Sequence, residues 1–336
     1  MSARRGGGPT PAAPPDAAVA RFRAGVEALY DGRLPQAIGL AVSGGPDSMA
    51  MLLLTAEAFP DADLAVATVD HGLRSGSAEE ARAVGRLSER LGLPHATLRL
   101  DPIPNRNLSA VARAERYRAL EGWAAAQRRD GVWTAHHADD QLETMLMRLN
   151  RGSGVGGLSG VRLRRQAFAR PLLTWRKREL EDLVAACGVD AVDDPSNRDA
   201  RYDRARFRRA LADADWLDPL GAAQSARLLE GAHNALAWAA RDWFDRHATR
   251  DDDVTSFEPG DLPQELLVRV VAAAIALTPG YDGKLLPASA IAVLLDRLRL
   301  GVPLTLAGVR VHVRDGRYSF AAAPPRRVYP RRRAPR

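Results

Sequence analysis

The stretch IGLAVSGGPDSMAMLLL, from Ile38 to Leu54, sets a Ser-Gly-Gly-Pro-Asp-Ser turn between two apolar runs. An apolar run of strand length followed by glycines, a proline and then a second apolar run reads as a strand, a tight turn and a helix start. Two glycines there let the backbone approach a ligand, and the first helical turn offers N–H groups with positive partial charge. The turn formed by Ser43, Gly44, Gly45, Pro46, Asp47 and Ser48 is therefore a candidate anion cradle. The alternative is an ordinary strand-to-helix turn capped by Asp47 or Ser48. A Walker-type loop would end in Gly-Lys-Ser/Thr, but the only lysines are Lys177 and Lys284. Phosphates would then rest on backbone N–H groups and the Ser43 and Ser48 hydroxyls, leaving Asp47 for Mg²⁺.

Outward from this turn, short apolar runs alternate with helical patterns as far as about Trp216. IGLAV precedes a helix expected from Asp47, LAVATVD precedes AEEARAVGRLSERLG, HATLRL precedes LSAVARAERYRALEGWAAAQ, and GVWTAHH precedes a helix expected from Asp140. Such alternation predicts a doubly wound α/β domain with a parallel sheet. The segments after Val42, Val69 and Thr134 should then face one crevice at the carboxyl ends of the strands. Beyond Asp218 the pattern turns mainly helical and ends in LTLAGVRVHVRDGRYSF, which reads as a hairpin turning at Asp315-Gly316. The expected organisation is a poorly ordered extension over 1–33, a catalytic domain over 34–217, a smaller mainly helical domain over 218–323 and a basic tail over 324–336.

Of the 336 residues, 46% are hydrophobic, enough for two domains with cores. No apolar run is long enough to cross a bilayer and no secretory h-region is present, so no membrane partner and a cytoplasmic location are expected. Cys187 is the single cysteine, which leaves no thiolate metal site within one chain. The net charge of +7 comes almost wholly from arginine. An arginine-rich composition could account for it, but Arg162, Arg164, Arg165 and Arg170, the run from Arg198 to Arg209 and the tail RRVYPRRRAPR are clustered as a polyanion partner requires.

A second constellation, TAHHADDQLETMLMRLNRGSG, runs from Thr134 to Gly154. Asp140 and Glu143 have capping-box spacing, yet two histidines and two carboxylates exceed what a cap requires. A binuclear metal hydrolase is the rival reading. It is short of ligands, because the chain has seven histidines and only Asp70-His71 could add to the cluster. The favoured reading is one Mg²⁺ shared by Asp47, Asp140 and nucleotide phosphates, with His136 or His137 near the reacting group.

SGGPDS at 43–48 resembles the loop of the N-type ATP pyrophosphatases, whose fold is adenine nucleotide α hydrolase-like. With VDHGLR (69–74), ARAERYRAL (112–120), AHHADDQLETMLMRLNRGSGVGGLSG (135–160), RPLL (170–173) and DDPSNRDARYDRARFRR (193–209), the chain is similar to the tRNA(Ile)-lysidine synthetases over about residues 36–210. The resemblance implies ATP and Mg²⁺ as cofactors, and tRNA(Ile) with a CAU anticodon and free L-lysine as partners. It implies attack of the wobble cytidine on the α-phosphorus, then displacement of AMP by the lysine amine. It gives Arg113 to the α-phosphate or adenylate, His136 to the cytosine or departing AMP, Glu143 to the lysine ammonium, and Arg204 and Arg208 to tRNA or phosphate. Ala205 and Phe207 stand where the family carries Asn and Ile. Protein partners stay open, a homodimer among them. Two other function classes are a related AMP-forming ligase acting on a small metabolite or a different tRNA base, and a non-enzymatic RNA-binding module. The second would leave SGGPDS and HHADDQLET without a purpose.

Overall fold

The Ile38–Leu54 stretch folds as strand β1 (Ala37–Ala41), a four-residue turn and helix α2 (Pro46–Ala58). Proline sits at the first helical position, where its missing N–H costs nothing. The structure, a computed structural model, describes residues 11–70, 72, 77–100, 108–192, 203–211, 214–284 and 286–324, without the side chains of 108–110, 203–205 and 208. Contacts divide the chain into two units, residues 1–230 and 231–336.

The first unit opens with α1 (Asp16–Leu29) before β1 and α2. It continues through β2 (Asp63–Asp70), α3 (Ser77–Arg90), β3 (His95–Arg99), α4 (Leu108–Ala126), β4 (Gly131–Thr134), α5 (Ala138–Leu149) and α6 (Val155–Leu158). Next come β5 (Arg164–Arg165), β6 (Phe168–Ala169), α7 (Lys177–Ala186) and α8 (Asp203–Leu211), and α9 (Pro219–His247) begins here. The sheet order is β3-β2-β1-β4-β6-β5, parallel except for the β5–β6 pair. The chain moves outward from β1 through β2 to β3, then returns to place β4 on the other side of β1. That puts the topological switch point between β1 and β4.

Alternation along the strands explains why both faces are covered. Ile38, Leu40, Leu64, Val66 and Trp133 enter one core with α1, α2 and α7, while Ala65, Ala67 and Val132 enter another with Leu120 and Trp123 of α4. The expectation of a poorly ordered 1–33 is corrected over Asp16–Leu29. There Phe22 and Val26 are fully buried, and the Phe22 ring stands against Trp133 and Phe59. Apolar residues at helical spacing gave that segment a face to bury, which the Gly/Pro-rich start obscured.

The expected boundary at 217/218 also shifts, because the division falls after Glu230, inside α9. Ala226 is fully buried and Glu230 lies 3.9 Å from Arg162, so the first turns of this helix belong with the first unit. The second unit contains the rest of α9, β7 (Thr249–Asp251), β8 (Val254–Phe257), α10 (Gln264–Leu277), α11 (Ala288–Arg299), β9 (Leu304–Leu306), β10 (Val309–Arg314) and β11 (Arg317–Ala322). The expected hairpin is β10–β11, with Asp315 and Gly316 both at positive φ, the geometry a two-residue turn demands. It forms the middle of a five-stranded sheet of order β7-β8-β11-β10-β9. Phe257, Val309, Val311 and Phe320 of that sheet pack with α10 and α11.

Candidate active site

The turn after β1 is held from within. Gly44 has φ of +92°, a conformation costly for any residue with a Cβ. The Ser48 hydroxyl accepts from the Ser43 N–H at 3.1 Å and donates to Gly45 O at 2.9 Å. The Ser43 and Ser48 hydroxyls lie 3.3 Å apart, Ser43 exposed and Ser48 buried. No side chain caps α2. Pro46 has no N–H and the Ser48 N–H already donates to Gly45 O at 3.1 Å, so the Asp47 N–H is the first-turn donor left over, and the simple side-chain-capped alternative loses its support.

Across the switch point, α5 begins at Ala138 and not at Asp140. The reason is a cap three residues earlier than the Asp140/Glu143 spacing suggested: His137 is the N-cap and Asp140 the N3 residue, with Asp140 Oδ2 accepting from the His137 N–H at 3.2 Å. His137 is 1% exposed. Its Nε2 lies 3.5 Å from Asp47 Oδ2 and 3.5 Å from Asp140 Oδ2, so the two carboxylates expected to share a site converge on one imidazole nitrogen. Its Nδ1 faces the Asp140 N–H at 3.3 Å and Asp139 Oδ2 at 3.6 Å, accepting from the first when unprotonated and donating to the second when protonated. Burial opposes the charge, but Asp139, Asp47 and Asp140 outweigh it and pull the pKa up to about 10. That shift favours the imidazolium, in which Nδ1 donates to Asp139 and the cap is kept by the His137 N–H on Asp140 Oδ2.

Asp139 faces the opposite way and anchors the site. Both of its oxygens accept from Arg176 at 3.2–3.3 Å, and Oδ2 accepts from the Lys177 N–H at 2.8 Å. Although burial works against ionisation, the His137 ring, the Lys177 N–H and Arg176 hold this carboxyl well below the usual range. The Ala138 N–H donates to Trp175 O at 2.8 Å, so the 175–177 segment fixes the start of α5 at two points. Sequence reading missed His137 as the central residue and missed Asp139 and Arg176 altogether. The doubled Asp was the one available signal.

The other expected residues are dispersed around this centre. His136 Nδ1 lies 3.1 Å from the Thr134 hydroxyl, whereas the neighbouring His137 meets the carboxylates. Glu143 is buried on α5, one turn beyond Asp140. Arg113 is exposed on α4 and reaches the Tyr117 hydroxyl at 3.3 Å. Asp70 Oδ1 accepts from the Gly72 N–H and the Ser77 hydroxyl, while His71 lies outside the described residues. The side chains of Arg204 and Arg208 and the tail RRVYPRRRAPR also lie outside them.

Magnesium suits the donors that are present. Asp47 Oδ1 is buried with no hydrogen-bond partner, which leaves a carboxylate oxygen desolvated and unused. Among the described residues no three His, Cys, Asp or Glu side chains are grouped to hold a metal by themselves. Mg²⁺ needs no such cage, since it takes one or two carboxylates together with substrate phosphates and water.

Residues 19–214 match the family described as the PP-loop domain. A tRNA(Ile)-lysidine synthase from Novosphingobium aromaticivorans is 44% identical over 323 residues, covering 92% of this chain and 95% of the relative. One from Zymomonas mobilis is 35% identical, covering 91% and 94%. A U34-tRNA thiolase from Methanococcus maripaludis shares the fold at a TM-score of 0.52 and 17% identity, over 63% of this chain and 79% of that one. With a glycine-rich turn at the β1 end, two carboxylates meeting across the switch point and these relatives, this chain belongs to the tRNA(Ile)-lysidine synthase family of PP-loop enzymes.

Proposed function

We propose that this enzyme uses ATP to join free L-lysine to C2 of the wobble cytidine in tRNA(Ile) with a CAU anticodon, working in the cytoplasm. The observation that carries the reading is the meeting of Asp47 and Asp140 at His137, beside the turn of Ser43 to Ser48. In the first half-reaction the cytidine C2 oxygen attacks the α-phosphorus and pyrophosphate leaves. In the second, the lysine ε-amine attacks C2, the C2–O bond to AMP breaks, and the amine loses a proton.

The turn's N–H groups and the Ser43 and Ser48 hydroxyls stabilise charge growing on the departing pyrophosphate. Asp47 and Asp140 would hold Mg²⁺, whose charge neutralises that leaving group. His137 keeps the two carboxylates together, and Arg176 keeps Asp139 and the α5 N-terminus in register with them. Arg113 meets the α-phosphate or adenylate, and His136 faces the cytosine or departing AMP. Glu143 meets the lysine ammonium and takes its proton.

The test is a chase with ATP labelled in the α-phosphate. Without lysine, label should remain on a CAU-anticodon tRNA, and adding lysine should release labelled AMP and leave lysine in the tRNA. Label that never reaches tRNA, or that appears on the lysine carboxyl group, overturns the reading.

A further inference from the structure

Strand β6 pairs in parallel with β4, matching Ala169 to Trp133. Arg170, the next residue, therefore leaves the sheet at its carboxyl edge beside Thr134, level with the start of the His136–Asp140 stretch. It is 5% exposed. Its Nη1 donates to Arg162 O at 3.0 Å and its side chain reaches the Tyr117 hydroxyl, but its Nε is buried without a partner. Among the described residues no carboxylate lies within ion-pair distance of it. A buried guanidinium in that condition is costly, because desolvation is not offset by an opposite charge.

Its charged neighbours make this worse. Arg113 and Arg165 are close enough to repel its charge. Arg113 donates to the Tyr117 hydroxyl at 3.3 Å, and the Tyr117 ring stands edge-on to Phe168 at 4.6 Å. Phe168 is in turn the cross-strand partner of Arg165. On the same side, Arg148 donates to Gly157 O and Gly160 O at 2.6 and 2.8 Å, with Arg113, Arg162 and Arg165 around it. Against these five arginines the described acid is Glu230, 3.9 Å from Arg162. On α3 and α4, by contrast, Arg82 is paired with Glu79 and Arg118 with Glu115. What sets Arg170 apart is that it is buried as well as without an acid among the described residues, a condition that an anionic ligand would relieve.

The geometry points to a phosphate-binding site made by Arg113 and Tyr117, with Arg170 as the positioning residue that fixes the Tyr117 hydroxyl from behind. Arg113 is the exposed group that touches the phosphate. Arg170 acts through Tyr117, supplying positive charge from a dry position where it is poorly screened. The ligand is a phosphate oxyanion, either a phosphodiester of the RNA beside its reacting base or the α-phosphate of ATP. Both choices rest on the function proposed above, in which Arg113 meets the α-phosphate or adenylate; what is added to it is Tyr117 as a second contact and Arg170 behind that hydroxyl.

Direct binding separates the sources in full-length enzyme. ATP, adenosine and a CAU-anticodon tRNA are titrated into wild type, Tyr117→Phe, Arg113→Gln, Arg170→Gln and Arg170→Lys. Each of the first three variants should weaken one phosphate ligand about tenfold or more, and Arg170→Lys should recover most of the loss by restoring the charge. Weakened tRNA binding with a salt slope shallower by about one, and unchanged ATP, identifies the phosphodiester. Weakened ATP with unchanged adenosine and tRNA identifies the α-phosphate. If Tyr117→Phe and Arg170→Gln bind both as wild type does, or if Arg170→Lys is as weak and as thermally unstable as Arg170→Gln, the site is overturned. None of these readouts depends on which amine is ligated, so failure of lysine transfer with intact phosphate binding would count against the proposed function alone.

Discussion

His137 Nε2 stands 3.5 Å from Asp47 Oδ2, joining the helix that follows β1 to the segment that follows β4. These residues are 90 positions apart and meet only because the sheet places those two strands side by side. Burial would discharge the ring, but three carboxylates keep it cationic, so it acts as a clip between acids that would otherwise repel.

Changing Asp47 or Asp140 to Asn keeps size and much of the hydrogen bonding but removes charge. Pyrophosphate release should fall about 100-fold or more in each variant, with circular dichroism unchanged. Near-normal rates in both would exclude a shared role in phosphate chemistry.

Arg176→Ala should lower the rate of pyrophosphate release by about 10- to 100-fold, because outer partners that orient a reacting group carry effects of that size. Arg176→Lys should restore part of it, since an ammonium can pair with Asp139 without the two-pronged grip. A fully active Arg176→Ala enzyme would show that the α5 start is held without this contact.

Glu143→Gln should impair lysine transfer more than adenylation of the tRNA. Single-turnover measurement of tRNA-bound AMP and of its release by lysine distinguishes the two steps. Equal loss in both would place Glu143 with the phosphate groups or the helix instead.

Gly308→Ala should destabilise the second unit. Gly308 has φ of +83°, and a Cβ there would fall onto the Gly280 carbonyl oxygen. A loss of roughly 2 kcal/mol or more is expected from strain and overpacking together. Urea unfolding followed by tryptophan fluorescence would measure it.

Glu179 caps α7 and accepts from Arg21 at 2.6 Å. Partial burial raises its pKa, but the Arg21 and Arg176 bonds prevail and hold it below the ordinary glutamate range. A carboxyl depressed by folding stabilises the native state above its unfolded pKa and loses that contribution as pH falls through the folded value. Glu179→Gln should therefore be about 0.5 kcal/mol less stable at pH 7, the scale of an exposed pair, and the gap should narrow below about pH 4.5. A constant gap from pH 7 to pH 3.5 would exclude the ionic contribution.

Local chemistry made the strand–turn–helix geometry at Ser43–Ser48 and the alternating α/β order legible in sequence. Glycine, proline and a strand-length apolar run restrict backbone conformation within a few residues, and the Asp315-Gly316 hairpin was readable for the same reason. The short pairs β5–β6 and β7–β8 were not. Their residues, RR with FA and TRD with VTSF, carry little strand pattern and are held by partner strands.

The sequence by itself determined which chemical groups are available: a lysine-free glycine-rich turn, paired carboxylates and an excess of arginine. Only the tertiary structure decided which of two adjacent histidines meets those carboxylates. The cap turns the buried His137 toward Asp47 and Asp140, while His136 contacts the Thr134 hydroxyl. It also decided that Arg176 holds Asp139 and that Arg170 is buried with no acid paired to it among the described residues. These are relations between distant segments, fixed by strand order and packing, and no local propensity encodes them.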